Sequence, residues 1–230
     1  MNIETEIIRV FKMITLNQSR KITIMGDSGS GKTTLLKNII DTLSKKWVCY
    51  IYNTDYEIFK MSDMIKPIKP DYSKNDSLDY LGDMINTLRA KKSNFVFAIT
   101  DLDKFYDKSS ALSYSSEPIK DLYGTGRHQR ILTIIESKQP RYIPSKILAN
   151  TNLFYISKFT EQEDARRLKG YVDIKIISKL KKYEFLEYDK WTGDSRIIRL
   201  ENDNIKVIKE LNTTNNTSNI DNSDDHNDRQ

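Results

Sequence analysis

The chain is short of several things that would point elsewhere. Its 230 residues include a single cysteine, Cys49, set inside an apolar run. An intrachain disulfide is excluded, and a reducing compartment is the natural setting. No apolar stretch reaches the ~18 residues that a membrane-crossing helix needs. The opening residues Met1-Asn2-Ile3-Glu4-Thr5-Glu6 lack the basic and then apolar regions of a signal peptide. No internal repeat is visible. The expected location is therefore away from secretory routes.

What the chain does have is charge. Charged residues make up 30% of it and the net charge is +5. The balance is uneven, because Asp221, Asp224, Asp225 and Asp228 face only Arg229 at the end of the chain. The remaining body is thus more basic than the whole, which suits a polyanionic partner as well as it suits an ordinary lysine-rich surface.

Apolar runs divide the chain. Strands are expected over Lys21–Met25, Trp47–Tyr52, Phe95–Thr100, Ile131–Ile135 and Asn152–Ser157. A helix is expected over Lys32–Lys45, where Leu35, Leu36, Ile39, Ile40 and Leu43 form one stripe. Further helices are expected over 75–91, 116–126 and 161–169. Continuously apolar strands alternating with helices predict an α/β fold, with a mostly parallel sheet covered on both faces. Ile7, Ile8, Val10, Phe11 and Ile14 suit a helix within residues 1–19, ahead of a core over 20–170. Residues 60–77 carry Pro67 and Pro70 and read as a surface loop. Residues 171–211 read as an extension, with a short helix over Val172–Leu180 and a β-hairpin from Tyr183–Tyr188 and Arg196–Leu200. Residues 212–230 are rich in Asn, Thr, Ser and Asp and are expected to be disordered.

The most specific local pattern is Gly26-Asp27-Ser28-Gly29-Ser30-Gly31-Lys32-Thr33, followed by Thr34. Glycines let backbone N–H groups curl around phosphate oxygens, and the following helix adds its positive end. Lys32 can reach the β- and γ-phosphates, and Thr33 can offer its hydroxyl to Mg²⁺. ATP with Mg²⁺ is the expected ligand. A strand before this loop and an amphipathic helix after it are what such a loop requires.

The run Phe95–Thr100 ends at Asp101, a carboxylate at the carboxyl end of a buried strand. That position predicts a magnesium-binding role shared with Thr33. A second acid that orients the attacking water is commonly the next residue. Here Leu102 follows and then Asp103, so Asp103 is one candidate, with Asp55 and Glu57 as rivals. Past the run Ile131–Ile135 comes Gln139, a side-chain amide suited to sensing the γ-phosphate.

The order Gly126-Arg127-His128, apolar strand, Gln139-Pro140-Arg141, Ile143-Pro144, Ala149-Asn150 resembles the FtsK–HerA superfamily of ring-forming DNA pumps. It is most similar to the genome-packaging ATPases of large DNA viruses and of icosahedral viruses with internal membranes. The resemblance covers about residues 20–170. It implies a RecA-like P-loop core, a homo-oligomeric ring such as a hexamer, and ATP-driven, sequence-nonspecific movement of double-stranded DNA into a capsid. Gln139 matches the sensor glutamine. Arg127 matches the arginine before that strand and is the first candidate for an arginine finger acting across a subunit interface, with Arg130, Arg141, Arg166 and Arg167 as competitors. His128 is expected to be structural. Lys66, Lys69, Lys74, Lys104 and Lys108 are candidate DNA contacts. Capsid-vertex or membrane-associated viral proteins are further expected partners, and the host cytoplasm or the virion the expected location. Leu102 in place of a second acid, and Lys138 just before Gln139, depart from the superfamily pattern. A translocase of conjugation, segregation or repair, and a non-motor regulatory ATPase, are the alternative readings.

Overall fold

The computed structural model describes residues 21–52, 58–69, 77–91, 94–104, 119, 121–123, 130–202 and 204–211. Expectations for the helix within residues 1–19, for Asp55, Glu57, Lys74, Lys108, Arg127 and His128, and for the tail from 212 lie outside these residues.

Among them, the strands are β1 (Lys21–Met25), β2 (Cys49–Tyr52), β3 (Ile65–Ile68), β4 (Val96–Ile99), β5 (Leu132–Ser137), β6 (Leu153–Ile156), β7 (Glu184–Asp189), β8 (Ser195–Glu201) and β9 (Asn204–Leu211). The helices are α1 (Lys32–Leu43), α2 (Ser77–Lys91), α3 (Ser145–Asn150), α4 (Gln162–Arg167) and α5 (Ile174–Ile177). Residues 119 and 121–123 are also helical, inside the segment where a helix is expected. No helix of the described residues is long and apolar enough to cross a membrane.

All nine strands join one sheet, in the order β3-β2-β4-β5-β1-β6-β7-β8-β9. From β3 to β6 neighbours run parallel. From β6 to β9 they run antiparallel. The parallel strands β1, β2, β4, β5 and β6 are buried along their whole length. Alternation explains how. On β2, Cys49 and Ile51 join one apolar cluster while Tyr50 and Tyr52 join the other, so the sheet separates two cores. The stripe Leu35, Leu36, Ile39, Ile40 and Leu43 of α1 closes the first face together with Ile22, Ile24 and Tyr155. Leu81 and Ile85 of α2 and Ile147 and Leu148 of α3 close the second.

Two segments differ from expectation. Residues 65–68, expected within a surface loop, form β3 and pair with β2. Pro67 removes a donor, and a strand with a border position tolerates that loss. The C-terminal hairpin is present as β7 and β8, but it continues the main sheet through β6 and acquires a third strand, β9. Ile205 and Val207 of β9 pack on the α1 face while Lys206 points outward.

Candidate nucleotide site

The strand order places the chemistry. β5 lies between β1, which leads into the glycine loop, and β4, which leads into Asp101. The carboxyl ends of these three strands converge on one edge, where ligands of such sheets bind.

Residues 26–31 form the turn from β1 to α1. Gly26 has φ +150, and a Cβ there would stand 2.5 Å from Ser157 Cβ at the end of β6, so no larger residue fits. Gly31 has φ +95 and heads α1. The loop is tied back to the β6 end. Asp27 N–H donates to the Lys158 carbonyl at 3.2 Å, and the Thr160 N–H and hydroxyl donate to Asp27 Oδ2 at 2.6 and 2.5 Å. Lys32 Nζ bonds the Asp27 carbonyl at 2.9 Å, across the mouth of the loop. Ser28 and Gly29 at the loop's tip are exposed, and Thr34 is half-buried.

Beside this loop stands a residue that sequence reasoning passed over. Glu136 of β5 is opposite Ile24 of β1 and is only 2% exposed. Its Oε1 accepts from the Thr33 hydroxyl at 3.0 Å, and its Oε2 is buried with no hydrogen-bond partner among the described residues. Burial pushes its carboxyl up to about 7, with Asp101 adding to the shift and Lys32, Thr33 and Lys138 opposing it. Burial likewise holds the Lys32 ammonium below its ordinary value, helped by Lys138 and opposed by Glu136, Asp101 and Asp103. Ser30 Oγ, in the loop itself, is likewise buried and without a hydrogen-bond partner among the described residues. Unsatisfied buried polar atoms are costly, and here two of them lie at the glycine loop beside Lys32 and Thr33. The arrangement fits a polyphosphate with a divalent cation: a lysine, a threonine hydroxyl, two carboxylates and vacant acceptor capacity.

The residues expected from the sequence take distinct places. Asp101 follows β4 in left-handed backbone, φ +47, and pairs with Lys138 Nζ at 3.2 Å. Asp103 sits in a 3-10 turn, and its Oδ1 accepts from Ser137 Oγ at 3.1 Å and from Lys138 N–H at 2.8 Å. It thereby pins the end of β5 to the end of β4. Gln139 is half-buried just past β5, where its N–H donates to Ser137 Oγ at 3.3 Å. Glu136, Lys138 and Gln139 are thus delivered by one strand.

The competing arginines are spread out. Arg141 binds Glu163 at 3.0 Å and Asp164 at 3.6 Å. Arg167 reaches Ser145 Oγ at 2.6 Å, and Arg166 reaches Gln162 Oε1 at 3.5 Å. Arg130 precedes β5, at the end of the sheet away from the glycine loop. Lys66 lies on β3, and Lys69 follows it.

Comparison with known proteins agrees with this geometry. A family model described as Poxvirus A32 protein matches residues 9–213. No curated protein gives a sequence match. Among solved structures, the genome packaging NTPase B204 of Sulfolobus turreted icosahedral virus 2, in complex with sulfate, superposes with a TM-score of 0.66 at 18% identity. That match covers 78% of this chain and 95% of B204. The B204 complex with ATP-gammaS gives 0.64 at 18% identity, covering 78% and 96%. The pCW3 conjugation coupling protein TcpA gives 0.57 at 18% identity, covering 76% of this chain and 58% of TcpA. At such identities the structural likeness establishes a shared P-loop NTPase fold.

Proposed function

Because the chain belongs to the poxvirus A32 protein family, we propose that it is an ATP hydrolase that drives double-stranded DNA into a viral capsid. One observation carries the reading: Lys32, Thr33, Glu136 and Asp101 converge at the mouth of a glycine loop, with acceptor atoms left unsatisfied. The likeness to B204, itself a genome packaging NTPase, supports the same view.

In this reading the loop 26–34 cradles the phosphates through the N–H groups at the head of α1 and the Lys32 ammonium, while the Asp27 N–H keeps its bond to Lys158. Thr33 and Asp101 would hold Mg²⁺, which when bound supplies Lewis-acid stabilisation of the phosphate charge. Glu136 orients the attacking water, taking the place of the acid missing after Asp101. Asp103 keeps Lys138 and Gln139 in position, and Gln139 reports the γ-phosphate. Arg127 acts from a neighbouring subunit of a ring, a hexamer in the simplest case. DNA is held through its phosphates by Lys66, Lys69, Lys74, Lys104 and Lys108, without sequence preference. Attachment to capsid-vertex or membrane-associated viral proteins, in the host cytoplasm or the virion, completes the scheme.

The test is ATP hydrolysis by the purified chain with and without double-stranded DNA. Stimulation by DNA of any sequence is expected, together with a loss of at least ~100-fold in Lys32→Ala. Mixing Arg127→Ala with Lys32→Ala subunits should restore part of the activity. Turnover indifferent to DNA would leave an ATPase but remove the motor.

A further inference from the structure

Tyr183 is an exposed aromatic residue that nevertheless touches the glycine loop. It is 42% exposed and has φ +66, a backbone conformation rarely adopted by aromatic residues. A Cβ on Gly31 would stand 3.1 Å from Tyr183 Cδ1 and 2.9 Å from Leu200 Cδ1. These two side chains therefore border the last residue of the loop before Lys32.

The turn that presents Tyr183 is closed by its neighbours. Lys181 N–H donates to Glu184 Oε2 at 2.8 Å, and Glu184 N–H donates to the Lys181 carbonyl at 3.0 Å. Leu200 N–H donates to the Tyr183 carbonyl at 3.0 Å, and Arg199 Nε donates to Glu184 Oε1 at 3.2 Å. Residues held in a disfavoured conformation by such a surround concentrate at ligand clamps. Lys182 Nζ lies 4.9 Å over the ring centroid, so a base stacking on that face displaces a flexible lysine.

Topology then says which part of a nucleotide lies there. Met25 pairs with Ile156, and Ile156 pairs with Leu186, so the start of β7 stands at the same end of the sheet as Gly26. Glu136, Lys138 and Asp101 all lie on the β5 and β4 side of β1. A triphosphate whose terminal phosphates meet those groups, and which extends across the loop, carries its nucleoside toward the opposite side, over β6 and β7. That side holds Tyr183 and Leu200.

We propose that Tyr183, backed by Leu200, is the seat of the purine base of the bound nucleoside triphosphate. This assignment rests on the phosphate-loop reading given above. Stacking on an aromatic face is tolerant of base identity, so adenine and guanine are both accepted by this contact.

The test uses the full chain with Mg²⁺ and two ligands, ATP-gammaS and base-free tripolyphosphate, titrated by calorimetry. Tyr183→Ala should weaken ATP-gammaS about tenfold and tripolyphosphate by less than about twofold, while Tyr183→Phe keeps both affinities. Equal weakening of both ligands would make the ring a prop for the loop and overturn the assignment, as would no weakening of either. Wild type binding neither ligand, or Lys32→Ala binding both normally, would instead overturn the phosphate-loop reading, and the base seat with it. Should Tyr183→Ala fail to fold, Tyr183→Trp gives a second readout. Its indole emission, above the Trp47 and Trp191 background of wild type, should be quenched by ATP-gammaS and not by tripolyphosphate. Emission unmoved by ATP-gammaS would again overturn the assignment.

Discussion

Glu136 is the residue on which the proposed chemistry turns. Its carboxylate is buried, accepts from the Thr33 hydroxyl through one oxygen, and has no partner for the other among the described residues. Glu136→Gln keeps the shape and the Thr33 contact but removes a proton acceptor. Turnover is expected to fall about 100-fold or more with nucleotide affinity nearly unchanged, read by steady-state hydrolysis beside calorimetric binding. Asp103→Ala has a different expected signature. It strips the acceptor from Ser137 and from the Lys138 N–H, so chemical denaturation should reveal a loss of about 1–3 kcal/mol. The sequence displayed Lys32, Thr33 and Asp101 plainly, because fixed spacing after glycines and an acid at the end of an apolar run are local signals. It hid Glu136 by the same logic that revealed Asp101. Both end apolar strands, yet the local pattern of Leu132-Thr133-Ile134-Ile135-Glu136 points only to the glutamine that follows. Whether an acid meets the glycine loop depends on which strand lies next to β1, and spacing along the chain does not carry that.

At the scale of elements, β2 and the C-terminal hairpin invite separate measurements. Cys49 is buried in β2, and burial, with a smaller push from Asp41, raises its thiol to about 12. The thiol therefore stays protonated and shielded near neutral pH. An aromatic disulfide reagent at mildly alkaline pH should label it only when denaturant unfolds the chain, and rapid native labelling would contradict the packing of β2. In the hairpin, Glu187 and Arg196 face one another across β7 and β8, both buried, with contacts of 2.8 and 3.2 Å. Arg196→Ala removes both of these contacts from a buried carboxylate and should cost about 3 kcal/mol in denaturant melts, whereas replacing both residues by apolar ones should cost much less. Elements with strong apolar runs, such as β1, β4 and α1, were legible to within a residue or two of their ends. β3 was not, because Pro67 and Pro70 outweigh Ile65 and Ile68 in any local reading. β9 was not, because Asn204-Ile205-Lys206-Val207-Ile208-Lys209 alternates only in part and acquires its conformation from β8.

For the whole molecule, alternating apolar strands and helices told of a two-faced parallel sheet, while the order of its strands needed pairings between residues more than a hundred positions apart. The basic body bears on function at this scale. If Lys66, Lys69 and the loops named with them hold DNA by its phosphates, the DNA-stimulated part of hydrolysis should fall steeply with added salt. The basal rate, set inside the buried cluster of Lys32 and Glu136, should barely change. Equal sensitivity of the two rates would argue against a phosphate-held polymer.

The borders of the sheet have a consequence of their own. Among the described residues one flank ends in a four-residue strand containing proline, and the other in a strand studded with Lys206 and Lys209. Both are poor templates for another chain to zip onto. Copies of this molecule are thereby steered away from fibrous, strand-by-strand growth, and self-association is left to surfaces of the layers that flank the sheet.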